Sequence, residues 1–397
     1  MTGGFHLAVA LDGAGFHPAA WREPSASPDA LFSPGYWIGL AETAERGLLD
    51  FLTIEDSFGL QSSSIRGHDE RTDQVRGRLD AVLIASLLAP RTRHIGLVPT
   101  AITTHPEPFH LASALSTLDW TSKGRAGWRA QVSFRAEEFA HVGTRPAVDL
   151  DPLDRDDPAV VQRSLELFEE AADVVEVVRR LWDSWEDDAI IKDVATGRFV
   201  DRDKLHYVDF DAREFSVRGP SIVPRPPQGQ PLVTALAHQQ IPFEFAARAA
   251  DVVYVTPTDR DVERWVADVR AAEETVSRAG PPLLVFADLN VLLDVRSGQA
   301  ASRKRRLDDL DGAAWRSDAA IVTATPVELA ELLADWHGRG VDGFRLRPGV
   351  LRHDLAAIVD QLVPVLQRRG AFRTAYEPGT LRSRLGLARP ANRYAAV

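Results

Sequence analysis

Cysteine is absent from this chain, so neither a disulfide nor a thiolate-bound metal can form. The histidines His6, His17, His68, His94 and His353 show no metal spacing and no H-E-x-x-H pattern. No acidic cluster has the form of a calcium loop. No serine sits in a G-x-S-x-G elbow, which removes the hydrolase nucleophile. Gly13 and Gly15 follow the first predicted strand, but the third glycine and helix start of a dinucleotide fingerprint are missing, so they read as a tight turn near a site mouth. No apolar run approaches the ~20 residues that span a bilayer. The first residues enter a predicted strand without a basic and then apolar leader. Together these absences predict a soluble, cytoplasmic protein with no metal and no membrane contact.

Charge excludes another class of partner. The net charge is −11 with acids and bases interspersed, so there is no electrostatic footprint for nucleic acid. The one dense basic cluster, Arg303-Lys304-Arg305-Arg306, is followed at once by Asp308, Asp309 and Asp311, and reads as a solvated surface loop.

What the chain does contain is a regular alternation of short apolar runs with helical-period segments, the pattern of a parallel sheet built from βα units. Strands are predicted at 5–11, 51–56, 95–102, 127–133, 232–237, 252–255, 283–293 and 343–347. Several are apolar throughout, as strands covered on both faces should be. Helices are predicted at 36–48, 79–88, 109–120, 161–185, 243–250, 261–279, 326–338 and 354–368, with Thr325 and Pro326 opening the seventh. Eight strands alternating with eight helices predict a closed (β/α)₈ TIM barrel, one domain over 1–373. Insertions of about 134–158, 190–230 and 295–324 come near strand C-termini, where lids and substrate walls are built. The tail, 374–397, lacks periodicity and is expected on the surface or against a partner subunit.

Candidate site residues gather at predicted strand ends. Asp56 ends the second strand, with a turn-capping role as its plain alternative. Thr103, Thr104 and His105 end the third, where threonine hydroxyls also serve turns. His105 is a candidate proton donor. On the fourth strand, alternation places Arg129, Gln131 and Ser133 on one face and Trp128, Ala130 and Val132 on the other. A buried face with those polar groups needs partners, which a barrel lumen holding a polar ligand supplies.

Three stretches carry a family resemblance. They are Thr103-Thr104-His105-Pro106-Glu107-Pro108-Phe109-His110 with Gly124-Arg125-Ala126-Gly127-Trp128, then Leu181-Trp182-Asp183-Ser184-Trp185-Glu186-Asp187-Asp188-Ala189, then Phe215-Ser216-Val217-Arg218-Gly219-Pro220 through Val223-Pro224-Arg225-Pro226-Pro227-Gln228-Gly229. Through them the chain resembles the bacterial-luciferase-like flavin monooxygenases, in particular the group acting on nitrilotriacetate, dibenzothiophene sulfone and pristinamycin precursors. The likeness implies a two-component flavin-dependent monooxygenase. It would take reduced FMN from a separate NAD(P)H:flavin reductase and use O2 to oxygenate a small organic substrate, as a homodimer or homotetramer.

By the same resemblance, Asp56, Thr103, Thr104, Arg129, Gln131 and Ser133 lie around the flavin, and His105 and Thr104 are the catalytic candidates. The chain departs from the pattern at the phosphate. Ser164 and Phe168 stand where relatives carry His and Tyr, and His238 stands for a Ser in a glycine-bounded turn whose glycines are Leu236 and Pro242 here. Glycines there let backbone N–H groups approach phosphate oxygens, and Pro242 has no N–H. Relatives usually have Asn at the position of Arg129. Three readings follow. Ser164, His238, Gln239 and Arg163 form a different cradle; or a deazaflavin replaces FMN; or the barrel is flavin-poor and supports a partner subunit.

Overall fold

The computed structural model describes residues 4–62, 69–147, 154 and 156–395. His68 and part of the 134–158 insertion lie outside the described residues. Nine parallel strands form the main sheet: β1 His6–Leu11, β2 Phe51–Ile54, β3 Gly96–Ile102, β4 Gly127–Gln131, β5 Leu232–Leu236, β6 Val252–Val255, β7 Leu284–Leu293, β8 Ala320–Ala324 and β9 Gly343–Pro348. Strands β1 to β7 pair in chain order, β7 pairs with β9, and β9 pairs back onto β1. That closes an eight-stranded TIM barrel, as the alternation predicts.

One strand, β8, was not expected. β6 pairs with only the first part of β7, from Leu284 to Ala287, and β8 takes over the same edge from Leu289 to Leu293. The 295–324 insertion thus supplies a strand that satisfies backbone groups of β7 where β6 has ended. Its other element is helix α8, Gln299–Asp311, entered and left through Gly298 and Gly312 in left-handed conformation. The basic cluster therefore lies on a helix, not a loop. Arg303 is buried and ion-paired to Asp294 and Asp354, partners too distant in sequence for local patterning to reveal.

The outer layer comprises α1 Pro34–Arg46, α2 Ala81–Leu88, α3 Pro108–Ser122, α4 Ala136–Val142, α5 Pro158–Asp183, α6 Gln240–Ala249, α7 Val262–Thr275, α9 Pro326–Gly338 and α10 Leu351–Ala357, which continues to Arg368. Helix α9 opens on the expected start signals: Pro326 at its first turn and a capping box between Thr325 and Glu328. The 190–230 insertion folds into two short antiparallel pairs, Ile190–Asp193 with Arg198–Val200 and Phe210–Asp211 with Ser216–Val217. Among the described residues, no helix is long and apolar enough to cross a membrane.

Strand alternation divides the residues cleanly. Leu7, Val9, Leu52, Trp128, Val233 and Leu346 face the helices. The opposite faces fill the lumen, beginning with an apolar layer of Ala8, Phe51, Val98, Leu232, Val252 and Phe286 at the N-terminal end. The tail seals this end. Leu381, Leu385 and Leu387 pack into that layer, Arg382 pairs with Asp251 at 3.0 Å, and the Arg382 N–H donates to Gln228. The surface location expected for the tail is thereby corrected for Leu381, Arg382, Leu385 and Leu387, while neighbours such as Ser383, Gly386 and Arg389 are exposed. Three leucines too widely set among arginines to show a period are still enough to close a barrel floor. Each such leucine contributes about 1.5–3 kcal/mol by burial.

Leu381→Ala should lower unfolding free energy by about 2–5 kcal/mol in denaturant titration, while Leu83→Ala, at a side chain 70% exposed, should stay within about 0.5 kcal/mol of the parent.

Candidate active site

Above the apolar floor the lumen turns polar. The inward positions of the strands carry Thr53 and Glu55, Thr100, Arg129 and Gln131, Thr234, Tyr254, Asp288 and Asn290, and Arg345 and Arg347. Three guanidiniums inside a barrel must be neutralised, and they are. Arg345, fully buried, donates to Asp288 at 2.8 Å and to Glu55 at 3.0 Å, and lies 4.1 Å over the Tyr254 ring. Arg129 donates to the other Glu55 oxygen at 3.0 Å, to Thr100 at 3.1 Å and to Gln131 at 2.6 Å. Arg347 bridges Asp288 and Asp318, the latter at 2.7 Å. His238, at the exit of β5, continues the chain: Nε2 lies 3.5 Å from Asp318 and Nδ1 3.0 Å from Thr256.

Charge thus alternates across the lumen from Arg129 through Glu55, Arg345, Asp288, Arg347 and Asp318 to His238. Burial alone would raise the carboxyl pKa values, but Arg129 and Arg345 hold Glu55 below its ordinary value, and Arg345 and Arg347 do the same for Asp288. Burial pulls Arg129 down against the pull of Glu55. Arginine remains protonated regardless. The sequence reading placed Arg129 and Gln131 in the lumen but missed their partners. The available signal was charge at inward positions of otherwise apolar strands, as in Asp288 within β7 and Arg345 and Arg347 within β9.

The strand-end candidates form a second, adjoining layer. Gln131 donates its amide to the Asp56 backbone carbonyl at 3.1 Å. Thr103 donates both its N–H and its hydroxyl to the Gln131 carbonyl. The Thr104 hydroxyl accepts from the Ser133 N–H at 3.0 Å. These bonds tie the exits of β3 and β4 together. The Asp56 carboxylate accepts from the Ser57 and Ala81 N–H groups at 2.8 and 2.9 Å, fastening the β2 exit to the start of α2. It therefore has the capping geometry given above as its plain alternative. Burial raises its pKa to about 6 although both N–H bonds pull it down.

His105 differs from its neighbours. Its ring stands edge-on to Phe58 at 5.7 Å and to Phe139 at 4.7 Å, and neither ring nitrogen has a hydrogen-bond partner. Burial and then the charges of Arg145 and Arg163 lower its pKa, so it is neutral at neutral pH. A buried imidazole with both nitrogens unused is costly unless something binds it. Arg163 lies over Phe139 at 5.0 Å, and Arg145, which sequence reasoning did not single out, grips Glu170 through both amino groups. Ser164 sits half-buried on α5 with no hydroxyl hydrogen bond to the lumen groups. The structure therefore brings Asp56, Thr103, Thr104, Arg129, Gln131 and Ser133 together beside His105, assigns His238 to the ion network, and leaves Ser164 apart.

Asp288→Ala would take from two buried guanidiniums the carboxylate they share, leaving Arg345 with Glu55 and Arg347 with Asp318, and should cost about 3–5 kcal/mol in chemical denaturation. Asp56 gives a pH signature. Its folded pKa of about 6 lies above the ordinary 3.8, so between those values the native state binds more protons and stability falls as pH rises. Asp119, also raised to about 6 by burial, acts in the same sense. Asp56→Asn should flatten the stability slope over that window, read from melting temperature against pH.

The sequence and the fold have known counterparts. Residues 14–307 match the family model for luciferase-like monooxygenase. The chain is 30% identical to N-acetyl-S-(2-succino)cysteine monooxygenase of Bacillus subtilis (strain 168), covering 98% of both chains. It is 31% identical to nitrilotriacetate monooxygenase component A of Aminobacter aminovorans, covering 95% of both. EDTA monooxygenase from Chelativorans sp. BNC1 superposes with a TM-score of 0.79 at 24% identity, over 97% of this chain and 99% of that one. The crystal structure of riboflavin lyase with modified FMN and riboflavin superposes with a TM-score of 0.83 at 22% identity, over 98% of this chain and 97% of that one. At those identities the two structures speak for the fold alone.

Proposed function

The chain belongs to the luciferase-like monooxygenase family and is an oxidoreductase, and from that premise we propose that it is the oxygenating component of a two-component system, using reduced FMN and O2 on a small organic substrate. The relative from Aminobacter is itself called component A. The observation that carries the reading is His105: a neutral imidazole at a barrel strand's C-terminal end, walled by Phe58 and Phe139, with both nitrogens uncommitted. Ligands of such barrels are held at that end.

The fit to a flavin differs between its two ends. Near the ring position, His105 offers a donor and an acceptor, and Gln131 and Thr104 lie beside it. At the phosphate, the turn after β5 has Leu236 and Pro242 where glycines would admit backbone donors, and His238 is engaged by Asp318 and Thr256. The cations on the His105 side, Arg145 and Arg163, are paired with Glu170 and Glu166. A phosphate there would exchange with these carboxylates. Such a site suits a flavin that arrives reduced from a separate reductase, reacts and leaves.

Reduced flavin supplies the electrons that activate O2. The protein's share is positional and acid–base. His105, uncharged, can give a proton from one nitrogen and take one at the other, while its aromatic walls exclude water. The alternating ion chain below holds the lumen's dipoles in place before any ligand enters, so little reorganisation accompanies reaction. A second reading, a supporting barrel without turnover of its own, draws on the same altered turn after β5.

Anaerobic titration with reduced FMN separates them. The oxygenase reading expects binding below about 100 μM, and His105→Gln should reduce single-turnover oxidation by about 10²-fold or more. Absence of binding below that range sinks the FMN proposal; a parallel titration with a deazaflavin then tests that cofactor, and failure of both leaves the supporting barrel.

A further inference from the structure

The exits of β1 and β9 build a second feature at the barrel mouth. Gly15 has φ +138°, and a Cβ there would lie 2.3 Å from the Gly349 carbonyl oxygen. Only glycine lets the two loops meet this closely, and the Phe16 and His17 N–H groups donate to Pro348 and Gly349. Beside this junction lies a cavity of about 140 Å³ whose walls include Asp12, Phe16, Trp21, Gln61, Arg76 and Arg78.

Its polar atoms are unevenly spent. Both Asp12 oxygens are taken by Arg78, and one also by Gln61. The Arg76 amino groups reach Asp69 and the Gln61 carbonyl, but Arg76 Nε and Gln61 Oε1 are buried without a partner. The two guanidiniums of the cavity wall are thus each paired with a carboxylate, Arg78 with Asp12 and Arg76 with Asp69, and what remains is one charged N–H, Arg76 Nε, unsatisfied. Trp21 is fixed by its indole N–H on the Asp73 carbonyl, and Phe16 lies against Arg347 at 5.8 Å. Rigid aromatic walls with one unspent cationic donor select a flat apolar body bearing an anionic group. A cavity of about 150 Å³ accommodates benzene, which matches this one in size.

We infer that this cavity is the substrate subsite and takes a small aromatic carboxylate, its ring between Phe16 and Trp21 and its anionic group toward Arg76. The assignment rests on the oxygenase reading for the word substrate, but the binding itself does not require flavin.

The test is calorimetry on the full-length protein without flavin, with benzoate and its neutral isostere benzamide. Benzoate should bind at millimolar concentration or below and at least about tenfold more tightly than benzamide, a difference of about 1.4 kcal/mol. Arg76→Gln should bring benzoate down to the benzamide level, whereas Arg46→Gln on the outer face of α1 should change neither. Equal affinity for the two probes would overturn the anionic class, and no benzoate binding would overturn the subsite. Should Arg76→Gln fail to fold, the contrast between probes on the parent protein still decides. Benzoate binding with no reduced-FMN binding would leave this inference standing and remove the oxygenase reading.

Discussion

The pairing of Arg345 with Asp288 is the constraint around which the barrel interior is arranged. Both are fully buried, and either one alone in that environment would carry a desolvation penalty of several kcal/mol. Once Arg345 is present, Asp288 must be ionised beside it and Glu55 must turn inward. Arg129 and Arg347 are then drawn in to balance the acids, and Asp318 to balance Arg347, with His238 placed against Asp318. Residues from β2, β4, β5, β7, β9 and the loop before β8 are committed by one charge.

This arrangement also explains why the mouth has so few free polar groups. Thr103, Thr104, Gln131 and Asp56 spend their capacity on each other's strands and loops. That bonding stiffens the rim, and among the buried polar atoms left unpartnered are both His105 nitrogens, Arg76 Nε and Gln61 Oε1 at the mouth, with Arg129 Nε, Arg347 Nε and Asn290 Oδ1 in the lumen below. Binding capacity in this barrel lies in what the interior network has not consumed.

Much of the fold was legible because apolar runs such as Gly96–Ile102 and Leu284–Leu293 announce strands covered on both faces. β8 was hidden because its residues are only half-buried, so the run reads as loop. Helix α8 was hidden by its charge. The candidate site was legible at strand ends, where polar residues interrupt apolar patterns, and β4 alternation placed Arg129 and Gln131 correctly. What the chain order conceals is which distant acid meets which base: Glu55 and Arg345 meet across the lumen from strands with only β1 between them, but they lie far apart in the sequence.

The sealing of the barrel floor by Leu381, Leu385 and Leu387 has a temporal side. The first strand and its capping leucines are separated by more than three hundred residues, so the floor closes through a contact of very long sequence separation. Such a closure carries its loop-closure cost before its reward, and until it forms the lower ends of the strands stay open to water.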